Sequence, residues 1–181
     1  PEGAGWTRPA FGGEIEEEVE GITGKQVIGL IERVRLIGPN GKERQVLAKI
    51  DTGADSSSID EKVARYLGYG DIIDDINSET YDEDGDMEYR NKLTDDLRDK
   101  YKMIYEDYFE TTKFIRSSHG LSLRPYVKIK MKMSDDFELD TSANIYERGD
   151  LKYQMIIGRN SLSNFLIDPG TKYTTIRKND N

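Results

Sequence analysis

The strongest constraint on this chain is the run Val46-Leu47-Ala48-Lys49-Ile50-Asp51-Thr52-Gly53-Ala54-Asp55, followed by Ser56, Ser57 and Ser58. Val46, Ala48 and Ile50 recur with the period of two that marks a half-buried strand. The strand ends on a carboxylate, Asp51, followed by Thr52 and Gly53. Gly53 lets the backbone turn sharply with no Cβ in the way. The hydroxyls of Thr52 and the serines offer hydrogen bonds to the carboxylate and its loop. A strand, a tight turn and an acid at the tip hold a carboxylate rigidly in a cleft.

Length and composition set the frame. A chain of 181 residues is expected to build one domain with a real core. It has no apolar run long enough to span a bilayer and no signal-peptide pattern at its start. The absence of cysteine removes disulfides and thiol chemistry, and suits a reducing compartment, so the expected location is cytoplasmic. A net charge of −9 argues against nucleic acid or an anionic membrane as partner. The chain starts at Pro1 rather than Met, which points to a processed, trimmed or tag-freed start.

Residues 1–24 are rich in Gly and acid (Glu14, Glu16, Glu17, Glu18, Glu20), with Trp6 and Phe11 as isolated aromatics. They read as an N-terminal arm: flexible, a tag remnant, a pro-segment, or held by a partner subunit. Residues 25–181 read as a single domain. Val27 to Ile37 is β-rich, Gly38-Pro39-Asn40-Gly41 is a turn, and Glu43 to Ile50 returns as the arm that delivers Asp51. Asp60 to Gly68 reads as a short helix with Asp60 as N-cap and Gly68 as its stop.

An acidic insertion follows over 71–110. Its Tyr81-Asp82-Glu83-Asp84-Gly85-Asp86 piece has the look of a calcium loop, but the places that need Gly and Glu hold Met87 and Leu93. It reads as a solvated loop. Leu97, Tyr101, Ile104, Tyr105 and Tyr108 then recur at helical spacing. With Thr94 as cap and Asp95 and Asp96 in the first turn, they predict an inserted amphipathic helix near 94–109 whose Tyr stripe is a packing face. Two strand pairs come next: Phe114 to Ser118 with Leu121 to Met133 across a His119-Gly120 turn, then Phe137 to Tyr146 and Tyr153 to Ile157. Val127, Ile129, Met131 and Met133 fall on one face and Tyr126, Lys128, Lys130 and Lys132 on the other, the pattern of a half-buried antiparallel strand.

Four motifs stand in order: Ala48-Lys49-Ile50-Asp51-Thr52-Gly53-Ala54; Ile115-Arg116-Ser117-Ser118-His119-Gly120 with Arg124-Pro125; Ile156-Ile157-Gly158-Arg159-Asn160-Ser161-Leu162; and Ile167-Asp168-Pro169. Over roughly Val27 to Tyr173 the chain resembles the retropepsin-like aspartic proteases. It is most similar to the branch labelled as ATP-dependent zinc proteases and associated with ribosomal-protein glutamate ligases. The resemblance implies a mostly β fold: a single-lobe closed β-barrel with a short helix after the Asp-Thr-Gly loop, the inserted helix near 94–109 and a short helix near 159–164.

The resemblance also implies roles. Asp51, Thr52 and Gly53 match the catalytic loop, and Arg159 matches the residue that pairs with the acid at Asp55 to brace it; a guanidinium-carboxylate fork suits that task. Arg116, Ser117, Ser118, His119 and Arg124 match the branch motif. For an acidic or glutamate-tailed substrate they would be recognition groups; the alternative is that both arginines pair with the acidic insertion. The zinc and ATP in the branch's label find no support in these residues. There is no Cys, one His, no His-Glu-x-x-His and no Gly-rich Lys-Ser/Thr phosphate loop, so no metal and no cofactor is expected. A Ser117/Ser118 nucleophile beside His119 would also need an orienting acid.

An aspartic protease uses two carboxylates that share a proton, because two held close together cannot both ionise. This chain has one Asp-Thr-Gly, so such a site requires Asp51 to face Asp51 of a second copy, and a homodimer is expected. The reading from another class is a non-catalytic binding or structural module within a larger assembly, favoured by the acidic insertion and the N-terminal arm.

Overall fold

A computed structural model describes residues 24–134, 137–147 and 152–174. The arm expected over 1–24 lies outside these residues except for Gly24. The described part is mostly β, built around a mixed sheet. Strands β2 (Ile31–Ile37) and β3 (Glu43–Ile50) form the expected hairpin, in register from Ile31 opposite Lys49 to Ile37 opposite Glu43. Beyond Asp51, the chain arches over to β4 (Ser57–Asp60). The space between β3 and β4 is filled by β8 (Met155–Ile157), parallel to β3 and antiparallel to β4.

On the far side of β4 come β7 (Phe137–Tyr146), β6 (Gly120–Ser134) and β5 (Phe109–Ser117). The far end of β6 also pairs with β2, Lys130 to Lys132 against Ile37 to Arg35, and this closes the sheet on itself. A separate parallel pair joins β1 (Gln26–Ile28) to β9 (Phe165–Ile167). The interior is filled by alternate residues the sequence marked, Val46 and Ala48 on β3 and Val127, Ile129, Met131 and Met133 on β6, together with Val34 and Leu36 of β2. Lys128 and Lys130 stand outside.

The helices depart from the sequence reading. Asp60 does cap α1 (Glu61–Ala64), accepting from the Lys62 amide at 3.2 Å. Gly68 takes the left-handed conformation that favours glycine, φ 107°. It bends the helix rather than ending it: after a wide turn over Arg65–Tyr69, the chain continues directly as α2 (Gly70–Ser78). Ile72, Ile73 and Ile76 are buried by α2, inside the acidic insertion where the sequence reading placed no helix before residue 94.

The inserted helix α3 spans Met87–Ile104, not 94–109. Its N-cap is Asp86, whose carboxylate accepts from the Tyr89 amide at 2.8 Å. Tyr105 and Tyr108 lie past its end, and Phe109 opens β5. The tyrosines are a packing cluster: Tyr69 and Tyr108 meet edge to face at 5.0 Å, and the Tyr105 hydroxyl donates to Asp75 at 2.5 Å, tying α3 to α2. The helix expected near 159–164 is a single 3-10 turn over Arg159–Ser161. Among the described residues, no helix is long and apolar enough to cross a membrane.

Glu32 on β2 is fully buried and accepts from the Thr174 amide and hydroxyl, the latter at 2.6 Å. Burial pushes its carboxyl above 4.5, against the opposing pull of those hydrogen bonds. A carboxyl raised on folding binds its proton more tightly in the folded state, so it lowers stability as pH rises from 4.5 through the raised value. Unfolding curves taken across that window should show Glu32→Gln with a flatter fall in stability than wild type. A parallel pair of curves would mean that Glu32 titrates as it does unfolded. Packing gives a second expectation. Met131→Ala, at a fully buried site, should cost about 2–5 kcal/mol by denaturant midpoint. Met103→Ala, on the outer face of α3, should stay within about 0.5 kcal/mol.

Candidate functional site

Asp51 sits where β3 ends, its amide donating to the Ile157 carbonyl of β8 at 2.9 Å. The carboxylate is half-buried, and Thr52 and Gly53 beside it are exposed. One carboxylate oxygen accepts from the Gly53 amide at 2.9 Å, and the Ala54 amide closes the turn on the Asp51 carbonyl at 3.2 Å. The expected hydroxyl contacts to the carboxylate are absent among the described residues; a backbone amide orients it instead.

The loop is locked from the other side by the turn after β8. Gly158 passes so close that a Cβ there would fall 2.4 Å from the Ser56 carbonyl oxygen, a distance no side chain tolerates. The Arg159 amide donates to the Ala54 carbonyl at 2.8 Å and its guanidinium to the Thr52 carbonyl at 2.8 Å. The same guanidinium pairs with Asp55, as the family resemblance implied. Asn160 completes the lock: its Oδ1 accepts from both the amide and the hydroxyl of Ser57, each at 2.9 Å. Its Nδ2 donates to the Ser142 carbonyl at 2.8 Å, anchoring the turn to β7.

Asp51, Thr52, Gly53, Asp55 and Arg159 are therefore gathered into one loop-on-loop crossing. The branch-motif residues are not. Arg116, Ser118 and His119 are exposed on the β5–β6 hairpin, with Ser117 half-buried. None of the four hydrogen-bonds to the Asp51 loop among the described residues. The His119 amide donates to Ser117 Oγ at 3.2 Å and its ring lies 3.5 Å from Ser118 Oγ, so these contacts stay within the turn. Gly120 closes that turn with φ 105°. Arg116 has no carboxylate partner among the described residues; it lines a shallow groove with Met87, Arg90, Lys113, Phe114 and Leu121. Arg124 is buried, its Nη1 donating to Asn144 Oδ1 at 3.2 Å.

The crossing is held by Ser57, Asn144, Asn160 and Ser161; of these the sequence reading singled out Ser57 for its hydroxyl, quoted Asn160 and Ser161 without a role, and passed over Asn144. Ser57 Oγ lies 2.8 Å from Ser161 Oγ and accepts from the Gly158 amide at 3.1 Å. The cue in the sequence was polarity where a strand should be apolar: Ser57 and Ser58 on β4 and Asn144 on β7 are all buried. A cavity of about 730 Å³ lies elsewhere, lined by Tyr69, Tyr108, Glu110, Lys128 and Asp140 and reaching the crossing only through Asn160. Among the described residues, no three acidic or histidine side chains come together as a metal-binding group.

No family model and no curated protein matches the chain. Among solved structures it is similar to the crystal structure of Lpg0085, a protein of unknown function (DUF785) from Legionella pneumophila subsp. pneumophila str. Philadelphia 1. Identity is 18%, the match covers 83% of this chain and 98% of that chain, and the TM-score is 0.45. A likeness at that level transfers neither fold nor activity.

The crossing makes a stability prediction. Gly158→Ala should shift the unfolding midpoint by several kcal/mol, since backbone on both sides must move. Asp55→Asn should change it by no more than about 1 kcal/mol, because the Asp55–Arg159 pair is largely solvent-exposed. A loss in Asp55→Asn as large as that in Gly158→Ala would show that the ion pair holds the crossing as strongly as the close approach does.

Proposed function

We propose that this chain is an aspartic endopeptidase of retropepsin type that acts as a homodimer. The observation that carries the reading is Asp51 itself: a half-buried carboxylate at a strand end, oriented by the Gly53 amide, in a loop pinned by the turn at Gly158, Arg159 and Asn160. Those are the elements the family resemblance assigns to a catalytic loop. A single carboxylate cannot serve as both base and acid. Asp51 from each of two copies, brought within hydrogen-bond range, shares one proton; the ionised member takes a proton from the attacking water and the protonated member donates to the substrate.

The closed ring of strands supplies the barrel-like lobe of that reading, and the β5–β6 hairpin supplies the flap over the cleft. Arg116, exposed and without a carboxylate partner among the described residues, is the recognition group for an acidic substrate. The second reading, a non-catalytic binding module, has one observation in its favour: the 730 Å³ cavity is not at Asp51.

The test pairs mass in solution with peptide cleavage. Wild type should be a dimer under cleaving conditions, with a bell-shaped pH profile from the shared proton. Asp51→Asn should keep the dimer and lose roughly 10³-fold or more in kcat/KM. A wild-type monomer, or a dimer equally inert with and without Asp51, turns the assignment to the binding module; cleavage that survives Asp51→Asn overturns the shared-aspartate mechanism.

A further inference from the structure

Arg124 matches a motif that implied substrate contact, yet it is 8% exposed and its visible partners belong to the scaffold. Ser122, Arg124 and Tyr126 lie on one face of β6, as alternate residues of a strand must. The Arg124 guanidinium lies over the Tyr146 ring, 3.7 Å from its centroid, while Nε donates to Ser122 Oγ at 3.0 Å and Nη1 to Asn144 Oδ1 at 3.2 Å. Asn144 is 3% exposed, and its Nδ2 donates onward to the Ser57 carbonyl at 2.9 Å and Ser56 Oγ at 3.3 Å. Tyr126 reaches the same Ser56 hydroxyl at 3.3 Å.

The chemistry of the amide gives this chain of contacts a direction. The two ends of an asparagine side chain have nearly the same shape but opposite hydrogen-bonding roles. A guanidinium only donates, so it fixes Oδ1 toward β6 and turns Nδ2 toward the loop. With the amide reversed, its NH2 would face a donor and its oxygen would face the Ser57 carbonyl, two buried mismatches that each cost far more than a surface contact gains. Ser57 in turn gives its amide and hydroxyl to Asn160, in the turn that pins the Asp51 loop.

We propose that Arg124 is a positioning residue that orients the Asn144 amide and through it holds the exit of the Asp51 loop, rather than a residue that binds substrate. Its catalytic consequence rests on the peptidase reading above; its effect on loop order does not.

Amide hydrogen exchange on the full chain separates the two. In Arg124→Lys, a single ammonium cannot reproduce the planar stack and the two donor directions. In Asn144→Asp, the acceptor for Arg124 survives but the donor to Ser57 is gone. Both variants should speed exchange at Ala54 and Ser57 by about tenfold or more, with Val46 and Ala48 in β3 within about twofold. If the peptidase reading holds, kcat should fall by about 10- to 100-fold with KM nearly unchanged. The double variant should be little worse than the more damaging single one, since both break the same chain.

Unchanged loop exchange in folded variants overturns the proposal, as does equal acceleration in every strand. A loss confined to KM also overturns it and returns Arg124 to substrate binding. Absence of cleavage in the wild type would remove the peptidase reading alone, and the exchange data would still decide whether Arg124 orders the loop.

Discussion

Everything about this fold that concerns Asp51 depends on one backbone crossing, where the turn at Gly158 passes over the arch between β3 and β4. The arch exists because β8, made more than a hundred residues downstream, occupies the gap between those two strands. A chain that leaves one strand and re-enters the sheet two places away must lift over whatever lies between. Its amides and carbonyls then lose the ladder partners they would have had, and buried groups of that kind need others. Arg159 and Asn160 provide them from the turn, Arg159 to the Thr52 and Ala54 carbonyls and Asn160 to the Ser57 amide, so the loop that carries the acid and the turn that supports it bond to each other.

That dependence has a cost in specificity of sequence. Asn144, Ser57 and Ser161 put amides and hydroxyls where a β interior ordinarily takes Val or Ile. Such a network stabilises only when each member finds its partner with good geometry, and a half-satisfied one is worse than an apolar core. The same feature restrains the loop, whose Asp51, Gly53 and Ala54 amides and Thr52 and Ala54 carbonyls are all engaged. The rest of the core, from Val34 and Leu36 to Met131 and Met133, is apolar and tolerant by comparison.

The first hairpin was legible in the sequence because alternation and turn chemistry agree there; Phe137 to Tyr146 and Tyr153 to Ile157, read as a pair, instead take different neighbours, β6 and β4 for the first and β3 and β4 for the second. Glu43 to Ile50 was bounded by a Gly-Pro-Asn-Gly turn on one side and Asp-Thr-Gly on the other, and the strand has those bounds. The helices were not, because acids mask them. Asp86 looks like one more acid in a solvated run, but its carboxylate caps α3 eight residues before Thr94, which instead bonds back to the Asn91 carbonyl inside the helix. The isoleucines of α2 stand at helical spacing but between aspartates, inside a stretch the sequence reading took only as acidic insertion. The Asp55–Arg159 pair came from the family resemblance, whereas the burial of Arg124 follows from a neighbour twenty residues away on another strand, which no local pattern reveals.

The acidic insertion has a consequence for how this molecule meets copies of itself. Closure of β6 onto β2 leaves β5 as the outermost strand of the main sheet, and α3 packs along it. A bare outer strand presents a row of unpaired amides and carbonyls, a template onto which another chain can add. With a charged helix laid beside it, β5 is shielded from that kind of growth. The segment that looks most like an interruption of the domain is thus the one that packs on the sheet's outermost strand, the place where a bare sheet is most open to another chain.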